Sequence, residues 1–118
     1  MVDTTDLSTQ PIEDLQAYKE TLRTEILPEL RFYPDFPKVG VNFLDIFSAT
    51  SNPAIFGRLI EAMKRLIITK FGPPSAGNYT HIVGLESKGF VLGPILSLAW
   101  NLPFVAIRKK GKLPGECW

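Results

Sequence analysis

The sequence is poor in the side chains that usually carry redox or metal chemistry: its 118 residues hold one cysteine, Cys117, and one histidine, His81. A single cysteine closes no internal disulfide, and with no cysteine–histidine cluster there is no zinc-ligand spacing. No apolar run approaches the ~18 residues of a membrane span. The amino terminus, MVDTTDLSTQ, is acidic and polar and lacks the basic-then-apolar pattern of a secretory leader. Nothing fits the phosphate loop G-x-x-x-x-G-K-[ST], and Ser87 lacks the G-x-S-x-G frame of a hydrolase nucleophile. The expectation is a single small domain in a reducing, cytoplasmic setting with no membrane contact.

A strong charge of one sign is also missing. Thirteen Lys and Arg face twelve Asp and Glu, a net of +1, which argues against a protein that coats nucleic acid. The placement matters more than the total. Residues 1–50 carry four basic and nine acidic side chains, whereas residues 51–118 carry nine basic and three acidic. Four of those cations lie in Arg108-Lys109-Lys110-Gly111-Lys112. Such focusing points to an anionic small molecule or one phosphate-bearing site.

What is present reads as an α/β chain. Ser8 to Pro11 can start a helix, with Thr9 or Gln10 near its cap, and Ile12, Leu15, Leu22 and Ile26 keep a helical spacing up to Pro28. Residues 1–31 are therefore expected to form a helical appendage. The stretch FYPDFPKVG, residues 32–40, has two prolines and a glycine among aromatics and reads as a loop. Val41 to Ile46 reads as a short extended segment. Ser51 or Asn52 then caps a helix with Pro53 at its first position and an apolar stripe from Ile55 to Phe71, ended by Gly72-Pro73. His81 to Leu85 reads as a buried strand, Phe90 to Trp100 as an apolar helix and Phe104 to Ile107 as a second strand. That order is a βαβ unit of a parallel sheet, expected to be covered on both faces.

Ligands of open α/β sheets sit outside the carboxyl ends of the strands, where both polar motifs fall. Gly84-Leu85-Glu86-Ser87-Lys88-Gly89 joins a strand to a helix N-terminus. It can offer backbone N–H groups, a helix dipole, a hydroxyl and an ammonium to an anion. The same residues equally fit a plain turn whose glycines allow close packing. The second motif, Arg108 to Lys112, holds mutually repelling cations at a strand end, which favours an anionic counterpart over a merely solvated turn. His81 reads as a structural or surface histidine, Trp100 as core, and Cys117 receives no role.

Three segments carry a resemblance: Phe36 to Ile46 (FPKVGVNFLDI), Ile82 to Phe90 (IVGLESKGF) and Ile107 to Gly115 (IRKKGKLPG). In this order and spacing they closely resemble adenine phosphoribosyltransferases over about residues 32–117. The resemblance implies transfer of a 5-phosphoribosyl group from phosphoribosyl pyrophosphate to adenine, giving AMP and pyrophosphate with Mg²⁺. It also implies a parallel-sheet phosphoribosyltransferase core with a hood over the base, and a homodimer. Carried over by residue, Val41, Asn42 and Leu44 resemble the hood strand that meets adenine. Glu86, Ser87, Lys88 and Gly89 resemble the loop that grips pyrophosphate, in the family often through a strained peptide. Arg108, Lys109 and Lys112 resemble basic residues that reach phosphoribosyl pyrophosphate from a neighbouring subunit. No metal ligand is assigned among the side chains. Lys88 stands where Arg is commoner, and loses the bidentate fork; Leu44 stands where an Arg can occur. The ribose-phosphate loop of the family, two acids and a Thr-Gly-Gly-Thr-like turn, is not among these residues. The chain thus reads as the N-terminal two-thirds of such an enzyme, residues 32–118 forming part of its domain, with catalytic residues expected beyond Trp118. A second reading is a non-catalytic purine- and phosphate-binding fragment or regulator; a nucleic-acid module is disfavoured by the acidic first half.

Overall fold

A computed structural model describes residues 7–117. They divide into two compact units, with the boundary between Phe71 and Gly72.

In the first unit, Leu7–Thr9 form a single 3-10 turn and α1 spans Leu15–Ile26. The start of α1 corrects the expectation of a cap at Thr9 or Gln10. The cap is Asp14, whose Oδ1 accepts the Ala17 N–H at 3.0 Å. Tertiary bonds hold the preceding residues out of the helix. Ile12 N–H donates to Thr69 Oγ1 at 2.8 Å, and the Arg65 guanidinium donates to the carbonyls of Gln10 and Pro11 at 3.2 and 3.3 Å. After a 3-10 turn through Pro28, β1 (Arg31–Pro34) pairs antiparallel with β2 (Asn42–Asp45). Here a strand stands at the start of the segment read as loop: Phe32 and Tyr33 are good strand formers, and Pro34 sits at the strand end, where it interrupts little. A short helix, α2 (Phe47–Thr50), leads to α3 (Pro53–Phe71). Asn52 Oδ1 accepts the Ala54 N–H at 3.1 Å, as expected of the cap, and Gly72 leaves the helix at φ +83°. Ile12, Ile26, Ala49, Ala62 and Ile68 form the buried core of this unit.

The second unit is the expected βαβ. β3 (Ile82–Leu85), α4 (Lys88–Trp100) and β4 (Phe104–Ile107) follow in order, and the strands pair in parallel with Val83 opposite Val105. His81 lies just outside the strand. α4 begins two residues earlier than its apolar pattern, so Lys88 and Gly89 occupy its first turn. Asn101, in the left-handed region at φ 52°, ends it. Trp100 is half-buried against the Tyr79 ring, 5.6 Å between centroids. The sheet differs from expectation in one respect. α4 covers the face bearing Gly84, while Val83, Leu85, Val105 and Ile107 point the other way and are 43–63% exposed. Two apolar faces were written into these strands, and one is covered.

Candidate adenine edge and anion loop

The adenine-contact candidates lie in the first unit, on β2. Val41 spends its backbone on the hairpin: its carbonyl accepts the Phe36 N–H at 3.1 Å, and its N–H donates to Lys38 at 3.3 Å. Asn42 and Leu44 differ, and the reason is Pro34. In an antiparallel ladder, facing residues alternate between pairs that exchange both hydrogen bonds and pairs that exchange none. Pro34 faces Asn42 and has no N–H to give, so that pair is of the second kind. Alternation makes Phe32–Leu44 the same kind and leaves Tyr33–Phe43 as the bonded pair between them. At the strand start the Arg31 N–H donates to Ser48 Oγ at 2.9 Å, and that hydroxyl donates to the Asp45 carbonyl. The C=O of Asn42 and the N–H of Leu44 therefore point together away from β1, along an edge with which no other described strand pairs. An adjacent acceptor and donor on one strand edge can read a planar heterocycle that offers a donor beside an acceptor.

The anion candidates lie in the second unit, where β3 and β4 end side by side. Gly84 and Gly89 are glycine because the strand end and the helix start touch through their backbones. A Cβ on Gly84 would lie 2.5 Å from the Gly89 carbonyl oxygen and 2.7 Å from the Phe104 ring; one on Gly89 would lie 2.8 Å from Gly84 Cα. The close-packing reading of these glycines thus holds, and it brings the first turn of α4 against the strand end. The Glu86–Ser87 peptide bond is cis. No side chain caps α4, so the Ser87 hydroxyl leaves the first-turn N–H groups to other acceptors.

From β4, the cluster Arg108 to Lys112 folds into a turn. Lys112 N–H donates to the Lys109 carbonyl at 3.1 Å, with Gly111 at φ +85°. The turn is tied to the β3–α4 loop. Arg108 Nε and Nη2 donate to the two oxygens of Glu86, each at 3.0 Å, and Nη1 donates to the Lys112 carbonyl at 3.0 Å. The Glu86 N–H also extends the ladder to the Ile107 carbonyl at 3.3 Å. The hydrogen bond from Arg108 holds the Glu86 carboxyl below the usual glutamate range, aided by the charges of Arg108 and Lys109. The structure thus brings Glu86, Ser87, Lys88, Gly89, Arg108, Lys109 and Lys112 into one loop pair, with five cations, counting Lys110, against one carboxylate. Sequence reasoning missed the pairing of Glu86 with Arg108. The pairing follows from register, which the strands' contacts set: Leu85 stands opposite Ile107, so the residue after one lies beside the residue after the other.

Among the described residues no group of three or more His, Cys, Asp or Glu could hold a metal ion. The Mg²⁺ that the resemblance implies finds no protein cage in them, since the one carboxylate of the loop pair is committed to Arg108. No described helix is long and apolar enough to cross a membrane.

No family model matches the sequence. Its similarity to curated proteins and solved structures is nonetheless extensive. The adenine phosphoribosyltransferase of Yarrowia lipolytica is 44% identical over 97 residues, 82% of this chain and 52% of that protein. Adenine phosphoribosyltransferase 1 of Saccharomyces cerevisiae is 46% identical over 94 residues, 80% and 49% of the two chains. A crystal structure of the Saccharomyces cerevisiae enzyme, complexed with an imino-altritol bisphosphate and adenine, superposes with a TM-score of 0.74 at 42% identity, covering 84% of this chain and 57% of that one. The chain carries the α/β fold of the phosphoribosyltransferases. Within that class it is a homologue of the adenine phosphoribosyltransferases and spans about half the length of the curated relatives it matches.

Proposed function

We propose that this chain supplies the base- and pyrophosphate-binding parts of an adenine phosphoribosyltransferase, which transfers a phosphoribosyl group from phosphoribosyl pyrophosphate to adenine in purine salvage. The observation that carries the reading is the outward edge of β2. Adenine donates from N6 to the Asn42 carbonyl and accepts at N1 from the Leu44 N–H. Val41, with its backbone engaged in the hairpin, contributes side-chain packing. Hypoxanthine presents an acceptor at position 6 and a donor at N1, so it would lose both bonds and leave both protein groups unpaired. Sites that read hydrogen bonds in this way discriminate by roughly 10⁴-fold.

The loop of Glu86 to Gly89 takes the pyrophosphate through the first-turn N–H groups of α4, and the turn of Arg108, Lys109 and Lys112 reaches it from the neighbouring subunit with its lysine ammonium groups. Mg²⁺ belongs to this reading as part of the substrate, bound to the phosphate oxygens. Residues 1–31 act as an appendage to the domain that begins at residue 32, and we place the protein in the cytoplasm as a homodimer, on the resemblance. Calorimetric titration of the chain with adenine and with hypoxanthine tests the reading. Adenine binding with no measurable hypoxanthine binding is expected; equal affinity for the two bases would remove the assignment of Asn42 and Leu44.

A further inference from the structure

Resting on that reading of the anion loop, we propose that Glu86 is a positioning residue: its carboxylate fixes the Arg108 guanidinium and so holds the Lys109–Lys112 turn in the shape that meets pyrophosphate. A carboxylate inside an anion site needs a reason, because alone it repels the ligand. Here both of its oxygens are met by one guanidinium in the parallel two-bond arrangement, which is directional as well as strong. The third nitrogen of the same guanidinium closes on the Lys112 carbonyl, across the turn that carries Lys109 and Lys110. One side chain therefore spans two loops and sets the turn that begins just after it.

Charge follows the same division of labour. Arg108 and Glu86 neutralise each other within the chain, which leaves Lys109, Lys110 and Lys112 to carry the positive charge of the turn. The pair is partly exposed, with side-chain exposures of 31% for Arg108 and 42% for Glu86. An ion pair so placed adds little to global stability. Its consequence is geometric: without it, four consecutive torsion-rich residues carrying three cations would sample many arrangements, and ordering them would be charged to the binding step.

This role makes a prediction opposite in sign to simple electrostatics. Glu86→Gln removes a negative charge from an anion site, which by itself tightens binding. A positioning role means that it weakens binding instead. The experiment is calorimetric titration of the chain with inorganic pyrophosphate at low salt, for the wild type, Glu86→Gln, Arg108→Gln, the double variant and Glu86→Asp. The expected results are about tenfold weaker binding for Glu86→Gln, the scale of one charged hydrogen bond. Glu86→Asp should recover most of that loss, and the double variant should bind no more weakly than Arg108→Gln alone. Tighter or unchanged binding in Glu86→Gln, or strict additivity in the double variant, overturns the proposal. The Arg108 Nε–H signal, followed by NMR in the absence of ligand, reports the tether directly. Slow exchange with water in the wild type and fast exchange in Glu86→Gln are expected, and fast exchange in both would refute the tether. Failure of the wild type to bind pyrophosphate is a separate result, which removes the anion reading of the loop itself.

Discussion

In residues 7–71 the long helix is held by side chains that reach across to backbone carbonyls and carboxylates; in residues 72–117 the helix is held where side chains are missing. On α3, Arg58 donates to Glu25 and Glu61 at 2.5 and 2.9 Å and to the Tyr18 hydroxyl at 3.2 Å. The guanidinium groups of Arg58 and Arg65 both lie over the Tyr18 ring, 5.2 and 4.8 Å from its centroid. Arg65 and Thr69 bind the chain ahead of α1. On α4, Gly89 meets Gly84 backbone to backbone, and Gly93 leaves room for the Phe104 ring, whose Cε2 would lie 2.5 Å from a Cβ there. Long flexible side chains tolerate adjustment. Backbone contacts do not, and they transmit position to the loops at the strand ends with little slack.

The sharpest way to test that contrast is to add one methyl group on the second side of it. Gly84→Ala places a Cβ against the Gly89 carbonyl, which can yield only by moving α4. A loss of about 3 kcal/mol is expected, at the upper end for overpacking. Chemical denaturation measures it, and a loss below about 1 kcal/mol would mean that strand and helix slide freely. Combining it with Phe104→Ala sharpens the point. The ring contact is relieved and the carbonyl contact is not, so no rescue should follow.

On the first side the effect is expected to be smaller. Arg58→Ala removes three hydrogen bonds from a half-buried cluster and leaves Glu25 and Glu61 without their partner, at a cost of about 1–2 kcal/mol. Thermal unfolding reads the change. Arg58→Lys should recover only part of it, since an ammonium cannot match the guanidinium fork. A cost above that of Gly84→Ala would reverse the comparison.

The smallest effect concerns the titration of the loop. Glu86 has a folded-state pKa below its ordinary value, so the stabilisation from its pairing is present above the unfolded pKa and is lost as pH falls through the folded one. An NMR titration of the Glu86 carboxyl carbon should show its midpoint below the usual glutamate range. In Arg108→Gln the midpoint should move back towards that range. A normal midpoint in the wild type would mean that the pair is not held in solution.

Much of this was legible along the chain. Pro53 after Asn52, the apolar stripe to Phe71, and Gly72-Pro73 define α3 through short-range capping and side-chain periodicity. The two four-residue apolar runs with a helix between them dictate a parallel βαβ, because the strands have no tight turn to join them. The motif residues themselves were legible as residue types at strand ends. β1 was not, since two prolines and a glycine nearby outweigh the strand preference of Phe32 and Tyr33 until β2 supplies its partner. Nor was the start of α1, where Asp14 prevails over the Pro11 signal because Thr69 and Arg65 bind the backbone ahead of it.

The sequence by itself determined which stretches are helix and strand wherever caps, periodicity and glycine–proline stops agree, because those signals act between residues a few positions apart. It determined as well that the cations gather after one strand and a carboxylate, hydroxyl and lysine after the other. Only the tertiary structure decided that Glu86 and Arg108, 22 positions apart, neutralise each other, and that Asn42 and Leu44 face away from β1. Both outcomes rest on register. Which residue stands opposite which is fixed by contacts between strands, and those depend on closing loops whose ends carry no local signal of where they will meet.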